Sequence, residues 1–192
     1  MSSGRTIAGG FLWTGGTSYV SQAVSVVATL ILAQYVPVAD LGIFSLAGLV
    51  IGWLALVRGL GLGTALVYEQ QDVEQASATA FWLLLATGIL LTALSFLAAP
   101  LAARAFRNPT IEPVVQVLGL SFLFSGLMAV QDTMLQKALR FRTRALAGLV
   151  ATVIFALLAA GLAIGGFGVW SLVYAQLAQT VVLAAILWVV SP

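Results

Sequence analysis

Arginine is the residue type in this chain best suited to bind a charged ligand, because the 192-residue sequence contains no histidine and no cysteine. These absences leave no thiolate nucleophile, no Ser/His pair, no disulfide and none of the usual zinc or haem ligands. Only eight basic and six acidic residues are present, so an acid/base centre has few members to draw on. We therefore expect a protein that is not an enzyme and that uses no cofactor or metal.

Arg58 stands inside an apolar run and is the only charged residue between Asp40 and Glu69. A charge at the centre of a membrane helix costs roughly 2.5 to 3.5 kcal/mol, so such a residue often faces the protein interior or a hydrated cavity. The alternative is that the side chain extends along the helix to the lipid headgroups. Arg58 is thus a candidate substrate-binding residue in a cavity, with this second interpretation left open.

The glycines after Arg58 do not form a nucleotide-binding fingerprint, since Thr64 breaks the pattern and no strand precedes it. Small residues in membrane helices allow bending and close packing. We expect bending or packing at Gly59, Gly61 and Gly63. Two further pairs have small-x-x-x-small spacing and are expected to pack: Gly48 with Gly52, and Gly161 with Gly165.

The first apolar run carries an unusual set of polar residues at three- and four-residue steps, which places them near one helix face. They are Thr14, Ser18, Ser21 and Ser25, with Gln22 and Thr29 beside them. This face could line a hydrated path for a polar solute, and we take Ser18, Gln22 and Ser25 as cavity candidates. Alternatively, the hydroxyls bond across helices or to their own backbone, at about 0.6 kcal/mol each.

A basic segment near the middle of the chain has four positive charges in eight residues, namely Lys137, Arg140, Arg142 and Arg144. Anionic headgroups attract such a segment, and arginine also binds phosphate through two parallel hydrogen bonds. We expect these residues to flank a cytoplasmic entrance, with Asp132 pairing with Lys137 or with one of the arginines. A nucleic-acid partner is not expected, because the cluster is short.

Composition indicates the setting of these residues: 61% of the chain is hydrophobic and 7% is charged. A soluble domain carries about a quarter charged residues, whereas about 20 apolar residues form a membrane-spanning helix. We predict an all-α, polytopic membrane protein with one domain, residues 1–192, of six transmembrane helices. Their approximate spans are 7–34, 41–67, 78–103, 112–136, 144–165 and 168–190.

The short loops predict the orientation, because Lys and Arg stay preferentially on the cytoplasmic side. With the N-terminus inside, five basic residues lie on the inner side, and only Arg104 and Arg107 lie on the outer side. Both termini are therefore expected in the cytoplasm. The segment "GGFG", residues 165–168, predicts a tight antiparallel hairpin between the last two helices.

The order of several segments resembles the polysaccharide flippases of the MOP superfamily, often called Wzx-like. The matching segments are "VPVADLGIFSLA", "GLGLGTALVYEQ", "FWLLLATGILLTAL", "LAARAFRNPTIEPVVQVLGLSFLFSGL", "LQKALRFRTRALAGLV", "GGFGVWSLVYAQLA" and "ILWVVSP". Together they cover almost the whole chain. Members of this family usually have about twelve to fourteen helices, so the resemblance implies the N-terminal half of a longer transporter, or a half that needs a second subunit.

The resemblance implies a flippase for undecaprenyl-diphosphate-linked oligosaccharide in a bacterial plasma membrane, serving polysaccharide, O-antigen or exopolysaccharide synthesis. Such proteins work by alternating access around a cavity that is often cationic, where Arg58 would be a candidate, with Arg140, Arg142 and Arg144 at the entrance. Implied partners are the lipid-linked oligosaccharide, bilayer lipids, and a polymerase or glycosyltransferases. The alternatives are a multidrug or cation exporter, and a non-transporting scaffold for polysaccharide assembly.

Overall fold

A computed structural model describes residues 3–59, 73–137 and 141–190, with side chains described at residues 16–56, 82–129, 131–132 and 142–190. All regular structure in these ranges is helical. The helices are α1 (Ser3–Tyr35), α2 (Val38–Gly59), α3 (Val73–Ala105), α4 (Ile111–Lys137), α5 (Phe141–Ile164) and α6 (Val169–Val190).

Each helix contains a stretch long and apolar enough to cross a membrane. Within the described ranges these stretches are Gly16–Tyr35, Val38–Leu56, Trp82–Ala105, Ile111–Ala129, Arg142–Ile164 and Val169–Val190. The prediction of an all-α, multi-pass membrane protein is confirmed. Each predicted span falls on one helix, although residues 60–67 of the second span lie outside the described residues.

The chain divides into two compact units. The first unit contains α1, α5, α6 and the last turns of α4 from Gln131, and the second contains α2, α3 and the remainder of α4. The expectation of a single six-helix domain stays a prediction.

In the first unit, α5 packs against both α1 and α6. The buried side chains of α5 include alanines at steps of four, eight and four residues, namely Ala147, Ala151, Ala159 and Ala163. Small side chains let neighbouring helices approach closely, which is how helices associate where lipid removes the hydrophobic driving force between them.

The turn between α5 and α6 confirms the predicted hairpin. Gly166 has a φ of 79°, its N–H donates to the carbonyl of Ala163, and the N–H of Phe167 donates to that of Leu162. This is a Schellman motif, in which a glycine in the left-handed conformation ends a helix. In the first turn of α6, the hydroxyl of Ser171 donates to the carbonyl of Gly168 at 2.6 Å, and the N–H of Ser171 donates to the same carbonyl.

In the second unit, α3 and α4 meet along a row of small residues. A Cβ built on Gly88 would lie 2.7 Å from the carbonyl oxygen of Phe122, and one on Gly126 would lie 2.8 Å from that of Leu84. A Cβ on Gly119 would overlap the buried hydroxyl of Ser95. Gly88 and Ser95 are seven residues apart, as are Gly119 and Gly126. This seven-residue repeat keeps one face of each helix against its antiparallel partner.

The glycine pairs predicted to pack do not form such contacts. A Cβ on Gly48, Gly52 or Gly161 would meet nothing within 4 Å, and the atoms nearest to one on Gly165 belong to the ring of Phe167 and the carbonyl of Leu162, both in the same hairpin turn. The prediction of helix packing at these pairs is therefore wrong for this structure. Spacing alone does not say which helix face meets a neighbour, and here the seven-residue spacing marks the contact.

The α3–α4 turn contains one unusual backbone conformation. Arg107 has a φ of 53°, and the N–H of Asn108 donates to the carbonyl of Ala103, so α3 also ends in a Schellman motif. The side chain of Asn108 then accepts a hydrogen bond from the N–H of Thr110 at 3.0 Å. Asn108 is a favourable N-cap residue for α4, and Pro109 is favourable at the first helical position.

Candidate functional site

The polar face of α1 lies largely outside the packed interior of the structure. Ser18 and Gln22 are exposed and Ser25 is half-buried, while only 11% of the span Gly16–Tyr35 is buried. The side chain of Gln22 makes no hydrogen bond with any residue that the structure describes. An amide facing hydrocarbon without a partner is unfavourable by several kcal/mol. In the membrane, the amide of Gln22 must therefore be contacted by water, a polar ligand, further protein or a residue of this chain outside the described ranges.

The polar face lies beside the buried face of α1 and does not form part of it. Ala28 and Leu32 are the side chains of this helix that are buried within its membrane span. At 100° per residue, the mean direction of Ser18, Gln22 and Ser25 lies about 65° around the helix from that of Ala28 and Leu32, with Gln22 the farthest of the three and Ser25 the nearest. The core contact of α1 is thus apolar, and its polar residues remain at the edge of that contact.

One hydroxyl of the polar face bonds to the backbone of its own helix, which was the alternative to a hydrated path. The side chain of Thr29 donates to the carbonyl of Ser25 within the same helix at 2.8 Å. Such a bond satisfies the hydroxyl without any partner outside the helix. Thr29 is therefore not needed for a hydrated path. Thr14 lies outside the residues whose side chains are described.

Two amides of α6 add to the polar groups of the first unit and were missed by the sequence reasoning. Gln176 and Gln179 are half-buried in the span Val169–Val190. Gln176 lies on the helix face that also carries the buried residues Val173 and Leu187. The sequence could have identified these two residues, since they are the only amides in the apolar run 168–190.

The structure describes the side chains of two arginines of the basic segment, both at the start of α5. Arg144 donates from Nε to Asp132 Oδ1 at 2.5 Å and from Nη2 to Asp132 Oδ2 at 3.1 Å. The predicted pairing of Asp132 is confirmed, with Arg144 as the partner. The two side chains are 48% and 27% exposed, so solvent or headgroups still reach the pair. Arg142 is also exposed, one half-turn earlier on α5.

Gln131, the residue before Asp132 in α4, carries a buried polar atom. Its Oε1 is buried and accepts no hydrogen bond from any residue that the structure describes. An unsatisfied buried acceptor destabilises a protein by about 1 to 3 kcal/mol. The end of α4 thus combines a carboxylate held by arginine with an amide oxygen that has unused bonding capacity.

Several predicted site residues lie outside the residues whose side chains are described. They are Arg58, Gly59, Gly61, Gly63, Lys137 and Arg140. The backbone of α2 is helical through Arg58 and Gly59, and α4 ends at Lys137. The predictions that Arg58 faces a cavity and that these glycines bend the helix stay predictions.

The carboxylates with described side chains lie at helix ends. Asp40 and Glu112 occupy the first turns of α2 and α4, where the positive end of the helix dipole stabilises an acid. Asp132 follows the membrane-spanning part of α4. No group of three or more His, Cys, Asp or Glu side chains that could hold a metal occurs among the described residues.

Comparison with known proteins gives two curated relatives. Teichuronic acid biosynthesis protein TuaB of Bacillus subtilis is 31% identical over 88 residues, which are 46% of this chain and 18% of that protein. Succinoglycan biosynthesis transport protein ExoT of Rhizobium meliloti is 28% identical over 142 residues, which are 74% of this chain and 29% of that protein. The chain thus spans less than a third of the length of either relative. No solved structure shows a significant match.

A protein-family model described as "Polysaccharide biosynthesis protein" matches residues 31–192. The match begins near the end of α1 and includes the whole of the other five helices. It therefore covers most of the chain, including the basic segment and the α3–α4 pair. This chain belongs to the polysaccharide biosynthesis protein family, as its resemblance to the polysaccharide flippases predicted.

Proposed function

We propose that this chain is part of a transporter that moves a lipid-linked oligosaccharide across a bacterial plasma membrane. The substrate is an undecaprenyl-diphosphate-linked oligosaccharide destined for a cell-surface or exported polysaccharide, and it moves from the inner to the outer leaflet by alternating access. The names of the two relatives, one for teichuronic acid biosynthesis and one for succinoglycan transport, support this substrate class.

The exposed polar face of α1 is the observation that carries the proposal. A transporter for a sugar must offer hydrogen-bonding groups at membrane depth, because sugar hydroxyls are costly to transfer into hydrocarbon. Ser18 and Gln22 provide such groups within a membrane span and remain accessible beside an apolar core contact. In this proposal they line the path of the oligosaccharide.

The basic segment is the feature that favours a substrate with a diphosphate group. Arg142 and Arg144 are exposed at the start of α5, and arginine matches phosphate through two parallel hydrogen bonds. Because Asp132 already holds Arg144 through Nε and Nη2, a phosphate would contact its remaining N–H groups or displace the carboxylate. Arg142 and Arg144 are both candidates for first contact at the cytoplasmic entrance. In the proposed orientation both termini are cytoplasmic.

A cation exporter is the less favoured alternative. Such a protein would use a carboxylate inside the membrane to bind its substrate, whereas the described carboxylates lie at helix ends. A membrane scaffold for a polymerase or glycosyltransferase is a further alternative, and the transport assay below separates it from the proposal.

The test is transport by the protein reconstituted in vesicles with a fluorescent undecaprenyl-diphosphate oligosaccharide, measured as the gain of substrate accessible to an external quencher. Gln22→Leu removes the exposed amide of the polar face. We expect about a tenfold lower rate, since the loss of one hydrogen bond to substrate weakens its binding by roughly 1 to 1.5 kcal/mol.

Gln34→Leu is the matched control, because it makes the same change on the same helix. Gln34 is also exposed and lies twelve residues from Gln22, about 120° around the helix. We expect its rate to equal that of the unmodified protein. Equal rates for Gln22→Leu and Gln34→Leu would contradict the path along α1. A well-folded protein without transport that co-purifies with a glycosyltransferase would favour the scaffold.

A further inference from the structure

We propose that the α3–α4 turn binds the phosphate of a membrane phospholipid through Arg104 and Arg107. This site is separate from the path along α1 and from the basic segment, and it does not depend on the transported substrate. Its ligand is the phosphodiester of a bilayer lipid whose acyl chains lie along α3.

Both arginines are exposed at the end of α3. Neither guanidinium has a carboxylate within 4 Å or a hydrogen-bond acceptor among the residues that the structure describes. Glu112 lies in the next helix turn along the chain, yet it does not pair with either arginine. The N–H groups of two arginines three residues apart are therefore available to an anionic ligand.

The backbone at Arg107 indicates that this side chain is not there for the stability of the turn. Arg107 occupies the left-handed position of a Schellman motif with a φ of 53°. Glycine is the residue that fits this position without steric strain, and the α5–α6 turn has Gly166 in the corresponding place. A non-glycine residue at a position where glycine would be free of strain points to a function for its side chain.

The surface below Arg104 identifies the ligand as a lipid rather than a free anion. Leu97, Leu101 and Arg104 follow one another at steps of four and three residues and so share one face of α3. The two leucines are 69% and 65% exposed. A phospholipid bound at Arg104 places its acyl chain along these leucines, about 10 Å of helix below the arginine.

The charge distribution across the membrane is a second reason to assign a binding role to Arg104 and Arg107. In the proposed orientation this turn is on the outer side, where lysine and arginine are depleted in membrane proteins. The insertion rule therefore does not explain Arg104 and Arg107, whereas it does explain the basic segment. Phe106, between the two arginines and 41% exposed, has the amphipathic surroundings typical of aromatic residues at a membrane interface.

The test uses a phosphatidylglycerol analogue with a photoreactive headgroup, cross-linked to the full chain in detergent and measured as label on the peptide that spans residues 97–110. We expect the double variant Arg104→Gln/Arg107→Gln to need about 30-fold more lipid than the unmodified protein for the same amount of label. Each cation near an anionic surface contributes roughly a fivefold gain in affinity. Photoreactive diacylglycerol, which has the chains but no phosphate, should label this peptide weakly.

Arg107→Gly is the second variant, because it removes the guanidinium and also relieves the strain at φ 53°. We expect about fivefold weaker labelling together with an unchanged or higher unfolding temperature, so that misfolding cannot explain the loss. Arg5→Gln removes the same charge elsewhere and should leave the label on this peptide unchanged.

Unchanged labelling in both arginine variants would overturn the proposal. Labelling by diacylglycerol as strong as by phosphatidylglycerol would show that only the leucines hold the lipid. Competition by inorganic phosphate as effective as that by unlabelled phosphatidylglycerol would make this a free-anion site instead. These results are independent of oligosaccharide transport, which this experiment does not measure.

Discussion

The contact between α3 and α4 allows a quantitative test of how this protein is held together. Gly88→Ala adds one methyl group at a position where the carbonyl oxygen of Phe122 lies 2.7 Å away, and Gly126→Ala does so 2.8 Å from that of Leu84. Ordinary van der Waals contacts at such a carbon begin at 3.4 Å. The neighbouring atom is backbone in both cases, so it cannot rotate away and the two helices must separate.

The expected destabilisation follows from two opposing effects. Overpacking costs typically 1 to 3 kcal/mol, and separating packed surfaces by 0.5 to 1 Å loses about a quarter to a half of the dispersion energy. Alanine is favoured over glycine inside a helix by about 1 kcal/mol, which offsets part of this cost. We therefore expect a net loss of about 1 to 2 kcal/mol for each variant, or roughly 2 to 8 °C in unfolding temperature for a chain of this size.

The assay is thermal unfolding of the purified protein in detergent, followed by circular dichroism. Gly48→Ala and Gly52→Ala are matched controls, because a Cβ at these two helical positions meets nothing within 4 Å. They should unfold at the same temperature as the unmodified protein or slightly above it. The double variant Gly88→Ala/Gly126→Ala should lose less than the sum of its single variants, since both methyl groups occupy the same gap. Unfolding of Gly88→Ala and Gly126→Ala at the control temperature would refute the contact.

Two further predictions concern charge and orientation. Asp132→Asn should destabilise the protein by no more than about 1 kcal/mol, because the pair with Arg144 is partly exposed. A double-mutant cycle with Arg144→Gln should give a coupling energy of about 0.5 to 1 kcal/mol. A coupling energy near zero would contradict a bidentate pair. Since the chain has no cysteine, Phe167→Cys and Arg142→Cys give single labelling sites at exposed positions. An impermeant maleimide applied to intact cells should label Phe167→Cys, and it should label Arg142→Cys only after permeabilisation; the reverse pattern would invert the proposed orientation.

Much of the fold was predictable because each helix carries its own signal. A membrane span must satisfy all of its backbone hydrogen bonds internally, so about 20 apolar residues predict a helix without knowledge of its neighbours. The ends were equally local: Asn108 with Pro109 begins α4, and Gly166 ends α5 through a Schellman motif. The pairing of Asp132 with a basic residue was also predictable, although the choice of Arg144 was not.

Helix contacts were less predictable because several faces of an apolar helix look alike. The spacing of Gly48 and Gly52 predicts a packing pair, yet Gly119 and Gly126, which have a different spacing, are the glycines that meet a neighbouring helix. In a soluble protein, polarity distinguishes the buried face from the exposed face, but lipid tolerates apolar side chains on both. Which small residues make contacts therefore depends on the position of the partner helix.

The candidate site shows the same division. The sequence by itself determined that α1 has a polar face with Ser18, Gln22 and Ser25, because helical spacing is a property of one segment. Only the tertiary structure decided that Ser18 and Gln22 remain exposed beside the apolar contact at Ala28 and Leu32, and that Arg144 is already held by a carboxylate. Composition and spacing fix which residues a helix can present. Exposure and pairing depend on the distances between helices, which are set by the packing of residues far apart in the chain.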